Sequence, residues 1–141
     1  MKHDENTRIG RLLSVAYTKW QDATYQALRE AGHGELRQSF SPVFRHIDAN
    51  GTRVADLAIK GNLTKQSMAY LVRSMEDAGY VDVRADPTDR RAKLVALTDK
   101  GRAADAALAQ MSRKLEGELV KRIGDADVER LRALLEALVA R

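Results

Sequence analysis

Between Thr52 and Gly101 the apolar residues change their spacing, and that change of period restricts the fold more than any other feature of the chain. Thr52 reads as the cap of a short helix whose inner face is Val54, Leu57 and Ala58, stopped at Gly61. Thr64 reads as the cap of a second helix, with Leu63 and Met68 placed as a hydrophobic staple and Met68, Leu71, Val72 and Met75 turned inward until Gly79. The period then drops from helical to alternating. Val81 and Val83 alternate with polar residues, Leu94 and Leu97 do so less strictly, and between them lies the turn-forming ADPTDRR. The spacing predicts a two-stranded hairpin with a long basic tip.

Helices flank this stretch. Ile9, Leu12, Leu13, Ala16, Trp20, Ala23 and Ala27 trace one apolar face from about Ile9 to Ala31, ended by Gly32 and Gly34. A shorter helix carries Phe40, Val43, Phe44 and Ile47, with Pro42 in its first turn and a break at Asn50-Gly51. Beyond the hairpin, Thr98 caps a helix reaching about Ile123, Gly124 breaks it, and Asp125 caps a last helix with Val128, Leu131, Leu135 and Leu138. The expected fold is mostly α with a small β-hairpin wing: a winged helix-turn-helix plus a helical dimerisation region formed by the N- and C-terminal helices. Residues 1–141 form a single domain, with about 36–101 as the winged part and about 7–32 and 102–141 as dimerisation helices. The terminal faces are too apolar to be left in water, and a chain this short has little core to cover both. A second copy of the chain is the expected cover, since closed symmetric pairs are the commonest way to bury such a face.

Composition excludes more than it selects. Hydrophobic residues make up 44% and charged residues 31%, which suits a globular chain. There are no cysteines, so disulfides, thiolate metal sites and thiol redox sensing are ruled out. No apolar run approaches the roughly 18 residues of a membrane span, and MKHDENTRIGR lacks the apolar stretch of a secretory signal. Cytoplasmic residence and no membrane partner are therefore expected. The net charge of +4 is mild and spread along the chain, so local placement must decide what the basic groups do.

The second short helix has the two faces that reading DNA requires. Opposite its apolar side lie Gln66, Ala69, Tyr70 and Arg73, and no acid occurs between Thr64 and Glu76. Thr64 and Ser67 at its first turn can bind phosphate with the free backbone amides, Gln66 can pair with adenine edges, and Lys65 can reach guanine or phosphate. An ordinary amphipathic surface helix would look much the same. The hairpin adds Arg84, Arg90, Arg91 and Lys93 around Asp86-Pro87, on a thin element suited to the narrow minor groove. Asp89, two residues before Arg91, is placed to brace a guanidinium. The assignment that follows puts Lys65, Gln66, Ser67 and Tyr70 near bases, Arg91 in the minor groove, and Thr64, Arg73, Arg84 and Arg90 on phosphates.

Residues 54–101, VADLAIKGNLTKQSMAYLVRSMEDAGYVDVRADPTDRRAKLVALTDKG, resemble the MarR family of bacterial regulators. The matching pieces are the ADLA helix, the LTKQSMAYLVRSMEDAGYV helix, the DPTDRR wing and the LTDKG start of the next helix. The resemblance implies a homodimer on a pseudo-palindromic operator in double-stranded DNA, acting as a repressor relieved by a small molecule or another signal. It also implies a recognition helix at Thr64–Ala78 and Arg91 as the wing arginine, with Asp89 as its partner. Pro42 departs from the commonest family pattern, which points to a short or kinked second helix. No cysteine stands where peroxide-sensing members place one.

Tyr17, Trp20, Tyr25, Phe40 and Phe44 could line an effector cleft or be plain core, and His46 with Arg45 could meet an anionic effector. A small aromatic or anionic molecule is thus a further expected partner. His3, His33 and His46 lack metal-ligand spacing, and Ser41, His46 and Asp48 lack a nucleophile turn, so neither a metal, a cofactor nor an enzyme is expected. The alternative of another class is a winged-helix protein-interaction module without specific DNA readout.

Overall fold

The computed structural model describes residues 7–140, in two compact units: residues 28–108, and residues up to 27 together with those from 109 onward. His3 lies outside the described residues. Among the described residues no helix is long and apolar enough to cross a membrane, and no three His, Asp or Glu side chains are grouped to hold a metal ion.

The chain runs α1 (Ile9–Glu30), a single 3-10 turn (Gln38–Phe40), α2 (Ser41–His46), β1 (Thr52–Arg53), α3 (Val54–Lys60), α4 (Lys65–Asp77), β2 (Val81–Asp86), β3 (Asp89–Leu97), α5 (Asp99–Ile123) and α6 (Asp125–Val139). This is the mostly helical winged helix-turn-helix read from the sequence. The middle unit is built around Leu28, Val43, Leu57, Met68, Met75, Val81 and Val95, all essentially removed from water. Pro42 sits in the first turn of α2, where a missing N–H costs nothing, and the helix is short, with six residues.

Three local expectations are corrected. Thr52 does not cap α3. It lies in β1, buried, opposite Val95 of β3, and its hydroxyl accepts the Asp48 N–H at 2.9 Å. The hairpin is therefore part of a three-stranded antiparallel sheet in the order β1-β3-β2. β2 and β3 pair regularly as far as Ala85 opposite Lys93; beyond a register shift Asp86 opposes Asp89 around the turn Pro87-Thr88, and residues 90–92 of β3 are left unpaired. Finally, the N-cap of α6 is Gly124, at φ +89°, and Asp125 is the first helical residue. A carboxylate there faces the positive end of the helix dipole instead of bonding an amide.

Thr98 does cap α5 as read. Its hydroxyl oxygen accepts the Gly101 N–H at 3.0 Å while donating to the Gly79 carbonyl at 2.6 Å. One side chain thus starts a helix and ties it to the turn where α4 ends. Lys100 reinforces the junction by donating to the Ala78 carbonyl and lying 4.7 Å over the Tyr80 ring.

In the unit of terminal helices, Tyr25 and Val128 are buried, and Arg132 of α6 pairs with Glu116 of α5 at 3.1 Å. Most of the apolar face read for α1 remains in solvent within the single chain. Ile9, Leu12, Leu13 and Tyr17 are exposed, as are Leu131, Leu134, Leu135, Leu138 and Val139 of α6.

Candidate nucleic-acid interface

The helix proposed to read bases is started by its own sequence. Thr64 stands in extended backbone geometry and its hydroxyl oxygen accepts the Ser67 N–H at 3.0 Å, satisfying one of the orphan amides of the first turn. Its hydroxyl also donates to the Ser67 hydroxyl at 2.9 Å. Met68, Val72 and Met75 are buried and Leu71 is half-buried, so this stripe seats α4 against the core. Lys65, Gln66, Ser67, Tyr70 and Arg73 are all exposed, Tyr70 at 67%. A large aromatic left this far in water on an otherwise polar face is available to a partner.

The wing is fastened to α4 and to β1. Glu76, in the last turn of α4, accepts the Val83 N–H of β2 at 3.1 Å. Asp86 closes the hairpin: one carboxylate oxygen accepts both the Thr88 N–H (2.8 Å) and the Thr88 hydroxyl (2.7 Å). Its other oxygen accepts Arg53 Nε at 2.7 Å. The Thr88 donors, and then Arg53, hold the Asp86 carboxyl down to about 2, and Asp86 in turn raises the Arg53 guanidinium.

Asp89 does not brace a guanidinium. Its carboxylate accepts the Arg91 backbone N–H at 3.0 Å, an Asx-type turn that shapes the chain and leaves the arginine head free of it. Sequence reading missed the acid that does hold an arginine, Asp86, because its partner Arg53 lies 33 residues away and meets it through the unforeseen strand β1.

Arg84, Arg90, Arg91 and Lys93 are exposed. With Glu76, Val83, Ala85 and Ala92 they line an open, shallow cleft of about 300 Å³. Among the described residues no carboxylate stands within 4 Å of the charged heads of Arg84, Arg90, Arg91, Lys93, Lys65 or Arg73. Such unpaired, solvated cations are what a polyanion can engage without first breaking an ion pair.

The residues considered for an effector fall in separate units. Phe40 and Phe44 are buried in the middle unit, with their rings edge-on to Tyr80 at 5.9 and 6.1 Å. His46 is half-buried there, and burial, then Arg45 and Lys60, push its imidazole below the usual value. In the helical unit Tyr17 is exposed and its hydroxyl accepts Gln21 Nε2 at 2.6 Å, while Trp20 is half-buried.

Comparison with known proteins agrees with this geometry. Residues 41–92, from α2 into β3, match the model of the MarR family. The transcriptional activatory protein BadR of Rhodopseudomonas palustris is 42% identical over 62 residues, covering 44% of this chain and 35% of BadR, so the chain spans about a third of that relative. A MarR-family transcriptional regulator from Rhodococcus sp. RHA1 superposes with a TM-score of 0.79 at 27% identity, covering 97% of this chain and 96% of that one. CouR from Rhodococcus jostii RHA1, solved bound to p-coumaroyl-CoA, superposes at 0.75 with 27% identity, over 97% of this chain and 95% of CouR. The capped helix α4, the basic wing and the matched segment coincide: residues 41–92 resemble the MarR family in sequence, and the chain shares the winged-helix fold of MarR-family structures.

Proposed function

We propose that this protein is a homodimeric transcriptional regulator that binds a pseudo-palindromic operator in double-stranded DNA and responds to a small molecule. One observation carries the reading: the exposed face of α4, from Lys65 to Arg73, has no acid, and the wing beside its C-terminal end holds arginines that no carboxylate among the described residues neutralises. On this reading Lys65, Gln66, Ser67 and Tyr70 meet base edges in the major groove. Thr64, Arg73, Arg84 and Arg90 meet phosphates, and Arg91 enters the minor groove, whose negative potential favours a guanidinium.

The dimer follows from the apolar residues that α1 and α6 leave in water, which two reading heads one helical turn apart would also require. An effector is supported by kinship with CouR, which was solved with p-coumaroyl-CoA. The proposed effector is an aromatic or anionic compound, the chemical class of the p-coumaroyl-CoA that CouR was solved with. Repression is the proposed sign where the operator overlaps a promoter. BadR is an activatory protein, and one act of binding gives either sign according to where the operator lies.

The test is enrichment of duplexes from a random-sequence library, followed by titration of the best duplex against salt. The expected result is a two-fold symmetric consensus and an affinity falling steeply with salt, by roughly 0.9 log units per log unit of salt for each phosphate contacted. No enrichment, or binding indifferent to salt, would leave the protein-interaction module as the better account. A thermal-shift screen with phenolic acids and their thioesters tests the effector.

A further inference from the structure

The hairpin ladder fails where the wing needs it most. Ala85 opposes Lys93, yet the next residue of β2, Asp86, opposes Asp89, so Arg90, Arg91 and Ala92 have no partners across the ladder. A strand with such an excursion bends, and nothing in the ladder itself fixes the direction of the turn beyond it. The bridge that spans the gap comes from outside the hairpin. Arg53 is anchored in the sheet by pairing with Leu94, and its side chain reaches to the turn, Nε to Asp86 at 2.7 Å and Nη2 to Thr88 Oγ1 at 3.4 Å. The Asp86 side chain is 9% exposed and that of Arg53 39%. A planar fork with several donors can hold both acceptors at once, which a lysine ammonium on its flexible stem does poorly.

We propose that Arg53 is a positioning residue for DNA binding: with Asp86 and Thr88 it locks the direction of the wing, so that Arg91 and not Arg53 meets the duplex. This rests on the wing being part of the DNA interface. The lock also accounts for an acid at the tip of an element meant to approach phosphates. Asp86 would repel DNA if left free, and Arg53 neutralises it while drawing the turn down to β1.

The sign of one substitution separates this from a plain electrostatic role. If Arg53 were a phosphate contact, Asp86→Asn would free it, raise the net charge and tighten binding. If Arg53 acts through Asp86, the same change weakens binding. The experiment uses the full chain and a duplex enriched by the wild-type protein from a random library. For Arg53→Met, amide exchange at residues 88–93 accelerates about tenfold or more, while amides of residues 68–75 keep their wild-type rates. Affinity falls roughly tenfold, and in an Arg91→Ala background the same change costs less than about twofold, because both substitutions remove one function. Asp86→Asn weakens binding. Unchanged exchange in the wing, equal losses in both backgrounds, or tighter binding by Asp86→Asn would each overturn the proposal. Should Arg91→Ala bind as the wild type does, the wing reading itself falls and the proposal with it. The exchange rates then still report whether the bridge holds the turn, so the two failures are told apart.

Discussion

A Cβ built on Gly101 would stand 2.0 Å from the Tyr80 carbonyl oxygen, so the first turn of α5 can lie against the end of α4 only because residue 101 has no side chain. That same carbonyl accepts the Thr98 N–H at 3.0 Å. The obstacle is backbone, which cannot swing aside as a side-chain tip can. Gly101→Ala is therefore expected to destabilise the protein by about 2–4 kcal/mol, through overpacking together with weakening of the Thr98 bond. Urea unfolding measures it. A loss under about 0.5 kcal/mol would mean that the junction yields easily.

The start of α4 offers a smaller and separable effect. Thr64→Ala removes the acceptor for the Ser67 amide and should cost about 1 kcal/mol of stability, whereas Thr64→Ser, which keeps the oxygen, should cost little. A denaturation series on both variants checks this. Equal losses would show that the threonine methyl, and not the cap, is what matters.

Base readout and wing contact are distinguished by what they change. Gln66→Ala should cost about 1–3 kcal/mol on the enriched duplex and relax preference at one base position, with the salt slope preserved. Arg91→Ala should weaken binding and lower the salt slope by about one contact, since Arg91 has no carboxylate partner among the described residues to compete with DNA. Binding isotherms on single-base variants and across salt concentrations report both. Unaltered preference after Gln66→Ala would turn α4 to a different orientation in the groove.

The turn of the wing should be sensitive to acid alone. The Thr88 donors and Arg53 favour the charged form of Asp86, so its folded value, about 2, lies below its ordinary value of 3.8. A depressed value means that the stabilisation is fully present above the ordinary value. It is lost as pH falls from about 4 toward 2, when the folded carboxylate is forced to take a proton. The amide resonance of Thr88 should titrate in that window and not in Asp86→Asn. A Thr88 midpoint near 4 would place Asp86 in open solvent.

Where the sequence was legible, periodicity spoke for itself. The stripe Met68, Val72 and Met75 repeats at helical spacing, and Thr64 and Thr98 carry the capping oxygens their helices use. Where it was not, the relevant spacing was too short or too long. Strand β1 has two residues, too few for alternation to show, so the sequence around Thr52 looks like a helix cap. Arg53 and Asp86 are joined by that strand's pairing, which no local pattern encodes. Asp89 misleads for the opposite reason. It is near Arg91 in sequence, but a short carboxylate reaches the amide two residues on more readily than a distant guanidinium.

The terminal helices set the last expectation. Leu134 and Leu138 lie one turn apart on α6 and are 61% and 50% exposed, next to Leu131 and Leu135, which are also exposed. In a two-fold pair every substitution counts twice, and withdrawing a leucine from water is worth about 1.5–3 kcal/mol. With roughly half of each side chain left to bury, replacing both residues by aspartate should cost the proposed dimer about 3–7 kcal/mol, before the penalty of bringing carboxylates together. Sedimentation at micromolar concentration should then report a monomer where the wild type is a dimer. Helical circular dichroism should be preserved, because these side chains are already in solvent within one chain. Duplex affinity should fall with it, since a single winged unit keeps half of the contacts. A double variant that remains dimeric would move the interface away from this face of α6.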